Sequence, residues 1–170
     1  ADEYRAALVE AQKQSTRLTT LTRDILLLHQ LQDQGVLAGE QADVAESVRV
    51  AVRELSPLME ARGLILQCEE LEPVFTLGRQ TYADVAIRNL MENAARYATP
   101  GTAVRVALTS AGFEIGNSCD LPEDVHLEAF FEPFGRRDPS RNATSGGNGL
   151  GLAVCRAAAK ANGWTVSLNR

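Results

Sequence analysis

The stretch Asn89-Leu-Met-Glu-Asn93-Ala-Ala-Arg96-Tyr97 does most to decide the fold and the chemistry of this chain. Two asparagines four residues apart project from the same side of a helix, because side chains at i and i+4 lie one above the other. Their carboxamide oxygens are ligands of the kind that a hydrated magnesium ion accepts. The stretch therefore predicts a helix over residues 79–97 with a polar site on one face.

A second stretch, Gly146-Gly-Asn-Gly149-Leu-Gly151-Leu, leads into a helix predicted at 149–162. Glycines at the start of a helix expose backbone N–H groups, which bind anions such as phosphate. The candidate phosphate contacts are Gly147, Gly149, Leu150 and Gly151, and the side chain of Leu150 is expected to pack in the core. An amide pair for magnesium and a glycine segment for phosphates together indicate that the ligand is ATP with Mg²⁺.

The rest of the chain predicts helices and short strands in alternation. A helix over 3–33 has apolar residues at a 4-then-3 step, as in a helical bundle or a dimer, although an ordinary packed helix has the same pattern. A helix over 43–62 contains Pro57, which favours a kink or an early end. Strands are expected at 64–68, 74–77, 103–108, 113–115 and 164–168, with a short helix near 123–131. This order predicts an α+β fold of two layers, a mixed sheet with helices on one face.

A loop over about 132–148 has no periodicity and is rich in Gly, Asn, Ser and Arg. Loops of that length are usually functional or mobile, and its position predicts a lid over the site. Phe131 and Phe134 are expected to pin this lid to the core. Its arginines either neutralise a triphosphate, mark a docking surface or are simply solvated; they are Arg136, Arg137 and Arg141.

Composition excludes several classes of function. The net charge of -5 argues against nucleic-acid binding, and no apolar run reaches the roughly 20 residues of a membrane-spanning helix. The three cysteines lack the paired spacing of a zinc site or a disulfide framework. The first residues have no signal-peptide character. The expected setting is a reducing compartment, the cytoplasm.

From about residue 40 onward the chain resembles the catalytic ATP-binding domain of bacterial sensor histidine kinases, whose Bergerat fold is shared with the gyrase, Hsp90 and MutL ATPases. The resemblance rests on four segments: Asn89–Tyr97, Phe131-Glu-Pro-Phe134, Arg137-Asp-Pro-Ser-Arg141 and Gly147-Asn-Gly-Leu-Gly-Leu152. It implies that residues 1–38 are the second helix of a dimerisation domain. Residues 39–170 are then the catalytic domain, with its last strand missing.

The resemblance implies a role for each asparagine. Asn93 is expected to give an oxygen ligand to magnesium. Asn89 stands where the related hydrolytic ATPases have a glutamate that activates water. A carboxamide cannot take up a proton, so transfer of the γ-phosphoryl group to a side chain is favoured over hydrolysis. Glu92 is expected on a different face of the helix, exposed to solvent.

Three further residues are expected to contact the nucleotide. Arg96 can reach a phosphate as an always-charged planar donor. Tyr97 covers the adenine or the ribose, or else packs in the core. Asn117 takes the place of an aspartate that accepts a hydrogen bond from the adenine amine in this family. Because Asn117 is neutral, and because Cys119 and Leu121 replace two glycines, the affinity for ATP is expected to be lower, by about 1 kcal/mol at the Asn117 contact.

The family's phosphoacceptor is a histidine followed by Glu or Asp, with a proline four residues on. His29 and His126 do not fit this pattern. The acceptor is therefore expected upstream of this chain, which should not autophosphorylate efficiently. The expected function is γ-phosphoryl transfer to that histidine and relay to a response-regulator aspartate, in a membrane-anchored homodimer. The alternatives are a nucleotide-binding or dimerisation module that has lost catalysis, and a hydrolytic ATPase of the same fold.

Overall fold

The computed structural model describes residues 2–32, 39–69, 71–122, 124–135 and 148–170. The α-helices in these ranges are α1 (Asp2–Gln32), α2 (Val44–Ala61), α3 (Gln80–Tyr97) and α4 (Gly151–Ala161). The strands are β1 (Gln41–Asp43), β2 (Ile65–Cys68), β3 (Phe75–Leu77), β4 (Ala103–Thr109) and β5 (Gly112–Asn117), and a 3₁₀ helix spans Leu127–Phe131. The predicted α+β class is confirmed, with most element bounds within two residues of those expected.

The sheet is mixed, as predicted. β2 runs parallel to β4, and β4 pairs with β5 in antiparallel register, while β1 and β3 form a separate antiparallel pair. On β4, Val104 and Val106 point inward and are buried, whereas Arg105 points outward and is exposed. The inward residues pack with apolar residues of α2 and α3. The helices therefore cover one face of this sheet.

Helix α2 shows how local sequence sets an element. Asp43 caps its start, because the carboxylate accepts hydrogen bonds from the backbone N–H groups of Ala45 (3.0 Å) and Glu46 (3.3 Å). Apolar residues at helical spacing then form its buried stripe: Val44, Val48, Ala51, Leu55 and Met59. The helix continues past Pro57 to Ala61, so an early end at the proline is wrong. Proline removes one backbone donor, and burial of the stripe keeps the remaining turn in place.

The beginning of α3 is fixed to the end of α4. The buried Asn162 accepts a hydrogen bond from the Arg79 N–H (2.8 Å) and donates one to the Arg79 carbonyl (3.1 Å). Gly78 must lack a side chain here, because an added Cβ would lie 2.7 Å from the Asn162 Cγ. The Trp164 indole N–H donates to the Leu77 carbonyl at 2.9 Å. These contacts place the asparagine helix and the glycine-led helix side by side.

Helix α1 docks only through its C-terminal part. Leu31 is buried and Leu27 partly buried against a cluster that includes Ala86 of α3 and Cys155 and Ala158 of α4. The rest of the helix leaves large apolar residues exposed: Tyr4, Leu8, Val9, Leu18, Ile25 and Leu26. Among the helices described, α1 included, none is apolar enough over sufficient length to cross a membrane.

One expected strand is absent from the described residues, one observed strand was not predicted, and one predicted segment cannot be compared. Residues 164–168 alternate between partly buried and exposed, yet they form no ladder with any strand of the described ranges. The alternation reports which side faces the core but not whether a partner strand is available. The three-residue β1 was missed because it is too short to show a period. The predicted break at 34–39 lies almost wholly outside the described residues.

Candidate functional site

An open cavity of about 2080 Å³ brings together most of the residues singled out in the sequence. Seven of the predicted nucleotide or metal contacts line this cavity: Asn89, Asn93, Arg96, Tyr97, Asn117, Gly149 and Gly151. The side chain of Leu150 is instead 1% exposed and lies in the core, so only its backbone is available to a ligand. Gly147 and the arginines at 136, 137 and 141 lie outside the described residues.

The two asparagines of α3 differ in how they are held. The Asn89 carboxamide donates a hydrogen bond to the Val85 carbonyl at 2.8 Å, which directs its Oδ1 toward the first residue of α4. A Cβ added to Gly151 would lie 3.1 Å from that oxygen. The partly buried Asn93 carboxamide makes no hydrogen bond to any residue of the described ranges. Asn89 is therefore a fixed acceptor at the start of α4, and Asn93 is available to a ligand.

The Asn93 carboxamide is chemically compatible with magnesium, the metal expected from the sequence. No cluster of three or more His, Cys, Asp or Glu in the described residues could enclose a metal ion. Magnesium does not need such a cluster, because it keeps water and phosphate oxygens and takes few ligands from the protein. A single carboxamide oxygen at the cavity wall is consistent with that coordination.

Arg96 is paired with Glu92 within α3. Its Nε and one terminal nitrogen lie 3.0 and 2.6 Å from the same carboxylate oxygen, and the two side chains are 33% and 29% exposed. The expectation that Glu92 faces solvent away from the site is therefore wrong. Residues four apart on a helix are neighbours, and this spacing was the signal that could have revealed the pair.

The end of α3 is capped from another helix, which the sequence did not reveal. The Arg62 guanidinium, just after α2, donates to the carbonyls of Ala95 (2.7 Å), Arg96 and Ala98 (2.8 Å). These carbonyls have no partner within a helix that stops at Tyr97, so a cation here also complements the helix dipole. The Tyr97 ring is held at the cavity wall, 40% exposed, and does not pack in the core.

The segment that follows β5 forms another part of the cavity wall. Asn117 ends that strand, partly buried, with no side-chain hydrogen bond to the described residues. The Ser118 carbonyl accepts a hydrogen bond from the Thr99 N–H at 2.7 Å, so this segment is tied to the end of α3. Cys119 follows, exposed at the cavity. The Asn117 carboxamide is thus available to a ligand in the cavity that Asn93 also lines.

The two ends of the predicted lid meet in the structure. The Phe134 N–H donates to the Gly149 carbonyl at 2.9 Å. The Phe131 ring is fully buried under the Arg156 guanidinium, 5.2 Å from the ring centroid, and Arg156 also donates to the Phe131 carbonyl at 3.1 Å. The Phe134 ring is 59% exposed, so of the two rings expected to pin the lid only that of Phe131 is buried in this structure. Burial of the Phe134 ring when nucleotide binds stays a prediction. Phe134 contributes through its backbone.

Comparison with known proteins decides the family. Residues 78–170 match the family described as histidine kinase-, DNA gyrase B-, and HSP90-like ATPase. The chain belongs to this family. Among its relatives is the signal transduction histidine-protein kinase BaeS of Escherichia coli, 33% identical over 144 residues, covering 80% of this chain and 31% of BaeS. The probable sensor histidine kinase TcrY of Mycobacterium tuberculosis is 30% identical over 170 residues, covering 96% and 35%.

Solved structures of the family agree on the fold. Full-length ShkA in complex with AMPPNP superposes with a TM-score of 0.67 at 20% identity, covering 95% of this chain and 34% of that one. The Acinetobacter baumannii histidine kinase AdeS gives a TM-score of 0.61 at 20% identity, covering 87% and 69%. The chain spans about a third of the length of the curated relatives named here. It is the ATPase-type catalytic region of a bacterial sensor histidine kinase, preceded by a helix.

Replacing Gly151 with alanine is expected to lower the affinity for Mg–ATP by about tenfold, or roughly 1.4 kcal/mol. The new methyl group would meet the Asn89 Oδ1 at 3.1 Å and push it from its place beside the start of α4. Isothermal titration calorimetry measures this loss. The unfolding midpoint should change little, because alanine favours the helix and offsets part of the crowding. Unchanged affinity would show that Asn89 and Gly151 do not act together.

Proposed function

We propose that this chain binds Mg–ATP in the cavity along α3 and transfers the γ-phosphoryl group to a histidine outside these 170 residues. The observation that carries the proposal is the available carboxamide of Asn93, one helical turn from an Asn89 that contacts the start of α4. This arrangement supports a role for Asn93 as a magnesium ligand and for the backbone N–H groups at the start of α4 as phosphate donors. The family match supports ATP as the ligand.

Each side chain has a role in this proposal. Asn93 gives an oxygen to magnesium, which neutralises charge on the phosphates when it is bound. Arg96 leaves Glu92 to contact a phosphate, and the backbone of Gly149 and Gly151 donates to the others. Asn117 accepts from the adenine amine, without the charge that an aspartate would add. Tyr97 covers the nucleotide with its ring.

Hydrolysis is disfavoured in the same site. The amide N–H₂ group of Asn89 donates a hydrogen bond to the Val85 carbonyl, so only its amide oxygen is directed toward α4. An amide oxygen is not a base at neutral pH, so a water molecule near it gains no activation. Transfer of the γ-phosphoryl group to a histidine is therefore favoured over its transfer to water.

In the full-length protein, this activity would be the first step of a phosphate relay. We infer that residues 1–38 belong to a dimerisation domain and residues 39–170 to the catalytic domain, because the exposed apolar residues of α1 need a partner surface. Phosphate would pass from the histidine to a response-regulator aspartate. BaeS is named as a signal transduction histidine-protein kinase and TcrY as a probable sensor histidine kinase, which supports this order. We also propose a membrane-anchored parent with this region on the cytoplasmic side.

The direct test mixes this chain with a separate helical segment that carries the phosphoacceptor histidine, and adds ATP labelled on the γ-phosphate. Acid-labile label on the segment is expected, and a segment with His→Gln at the acceptor is the control. Label found only as free phosphate would instead favour the hydrolytic ATPase. Absence of nucleotide binding at millimolar concentration would favour a dimerisation module that has lost catalysis. Such a loss would agree with Cys119 and Leu121, which stand where the family has glycines.

A further inference from the structure

Arg62 holds the backbone on both sides of Tyr97. Its guanidinium donates hydrogen bonds to the carbonyl of Arg96, the residue before Tyr97, and to that of Ala98, the residue after it, the latter at 2.8 Å. A third bond, at 2.7 Å, reaches the carbonyl of Ala95. Arginine suits this task because its planar guanidinium presents five N–H donors in a fixed arrangement. One side chain therefore binds three carbonyls around the end of α3.

Tyr97 needs such support because it is the last residue of α3. Helix ends fray, since their last carbonyls lack partners within the helix. The Tyr97 ring is 40% exposed at the cavity wall, so side-chain packing fixes it only in part. The alanines at 95 and 98 are in contrast buried. The direction of the Tyr97 ring is then set largely by the backbone that carries it.

The turn that follows α3 has anchors that do not use the Arg62 guanidinium. The Thr99 N–H donates to the Ser118 carbonyl at 2.7 Å, and the Gly101 N–H donates to the Arg62 carbonyl at 3.3 Å. Both are backbone bonds, so replacement of the Arg62 side chain leaves them in place. Removal of the guanidinium should therefore loosen the end of α3 without detaching the turn or the segment that carries Asn117.

We propose that Arg62 is a positioning residue that holds the Tyr97 ring against the bound nucleotide. The guanidinium itself does not bind the nucleotide in this proposal, because its donors are directed at the three carbonyls. Its effect on binding passes through Tyr97. The inference rests on the proposed function, because it needs the Tyr97 ring to cover the nucleotide.

Isothermal titration of the 170-residue chain with Mg²⁺ and a non-hydrolysable ATP analogue tests this role. Arg62→Met keeps an apolar stem and removes every donor, and it is expected to weaken binding about fivefold by displacing an aromatic contact with the nucleotide. Arg62→Lys supplies three donors and keeps the charge, so it should restore the affinity to within about twofold of the wild-type value. A lysine variant that binds as weakly as the methionine variant would overturn the inference.

The matched control is Arg49→Met. Arg49 is an arginine of α2 that also donates to a distant carbonyl, that of Leu71 at 3.0 Å, but it does not line the cavity. Its replacement should leave the affinity unchanged, and a loss equal to that of Arg62→Met would overturn the inference in favour of general destabilisation. Urea unfolding shows whether each variant is folded. If Arg62→Met is not, Arg62→Gln, which keeps an amide donor, takes its place.

The double variant shows whether Arg62 acts through Tyr97. Tyr97→Ala alone should weaken binding about tenfold, through loss of the aromatic contact. In that background, Arg62→Met should cost less than about twofold, because the ring that Arg62 positions is gone. Additive losses would overturn the inference. So would equal binding by the wild-type chain and Arg62→Met, with the proposed function intact. A wild-type chain that binds no nucleotide would remove both.

Hydrogen exchange of the nucleotide-free chain provides a readout at the end of α3 itself. The Ala98 N–H donates to the Ala94 carbonyl at 2.9 Å. In Arg62→Met its exchange should be about fivefold faster, because this end of the helix opens more often. Exchange of the Thr99 N–H, which Ser118 holds, should change by less than about twofold. Unchanged exchange at Ala98 would overturn the inference, since the guanidinium would then not hold this backbone.

Discussion

Replacing Asn93 with alanine is expected to weaken Mg–ATP binding by roughly a hundredfold, or about 2.7 kcal/mol. In the proposed site Asn93 supplies the one protein oxygen to the metal, and the described residues hold no acidic cluster that could take its place. Loss of the metal also removes the positive charge that would offset the negative charge of the phosphates in the site. Calorimetry or displacement of a fluorescent ATP analogue measures the change.

The stability of the same variant serves as its control. The Asn93 side chain makes no hydrogen bond to the described residues, and alanine is the better helix former. The thermal midpoint should therefore be unchanged or slightly higher while binding is lost. Asn93→Asp should also weaken binding, because a second anion repels the triphosphate. Analogue retention equal to that of the wild-type chain would remove the basis of the proposed site.

Replacing Phe131 with alanine is expected to reduce the free energy of unfolding by about 3–5 kcal/mol. The ring is fully buried and lies under Arg156, so truncation leaves a cavity and also removes the cation–π contact. A domain with a total stability of roughly 5–15 kcal/mol would lose a large share of it. Urea unfolding followed by fluorescence of the single tryptophan, Trp164, measures the loss.

The matched control lies three residues further along. Phe134→Ala removes the same ring from a position that is 59% exposed, and it keeps the backbone N–H that reaches the Gly149 carbonyl. Its stability should stay within about 0.5 kcal/mol of the wild-type value, as for most surface substitutions. Equal losses in the two variants would contradict the assignment of Phe131 alone as the buried anchor.

The sequence predicted the features that depend on a repeating pattern within a single helix or strand. Helical and alternating periods located α2, α3, β4 and β5, and the spacing of Asn89 and Asn93 placed both on the cavity side. Such patterns depend only on side-chain direction along a helix or a strand, so they need no knowledge of the neighbours.

What the sequence could not predict are contacts between elements far apart in the chain. Asn162 binds the backbone of Arg79, 83 positions earlier, and Arg62 caps a helix end more than thirty positions later. No local pattern encodes such pairs, because they arise only when the layers have assembled. The Glu92–Arg96 pair is an exception, because its four-residue spacing is a local pattern that the sequence does contain.

The backbone bond between Phe134 and Gly149 has a consequence for engineering. It closes the base of the intervening stretch independently of what that stretch contains. The entropy of closing a flexible connection rises slowly, by about 0.6 kcal/mol for each doubling of its length. A graft of different size or composition between these two anchor points should therefore leave the scaffold folded. This segment can then diversify or accept a reporter peptide while the described helices keep their arrangement.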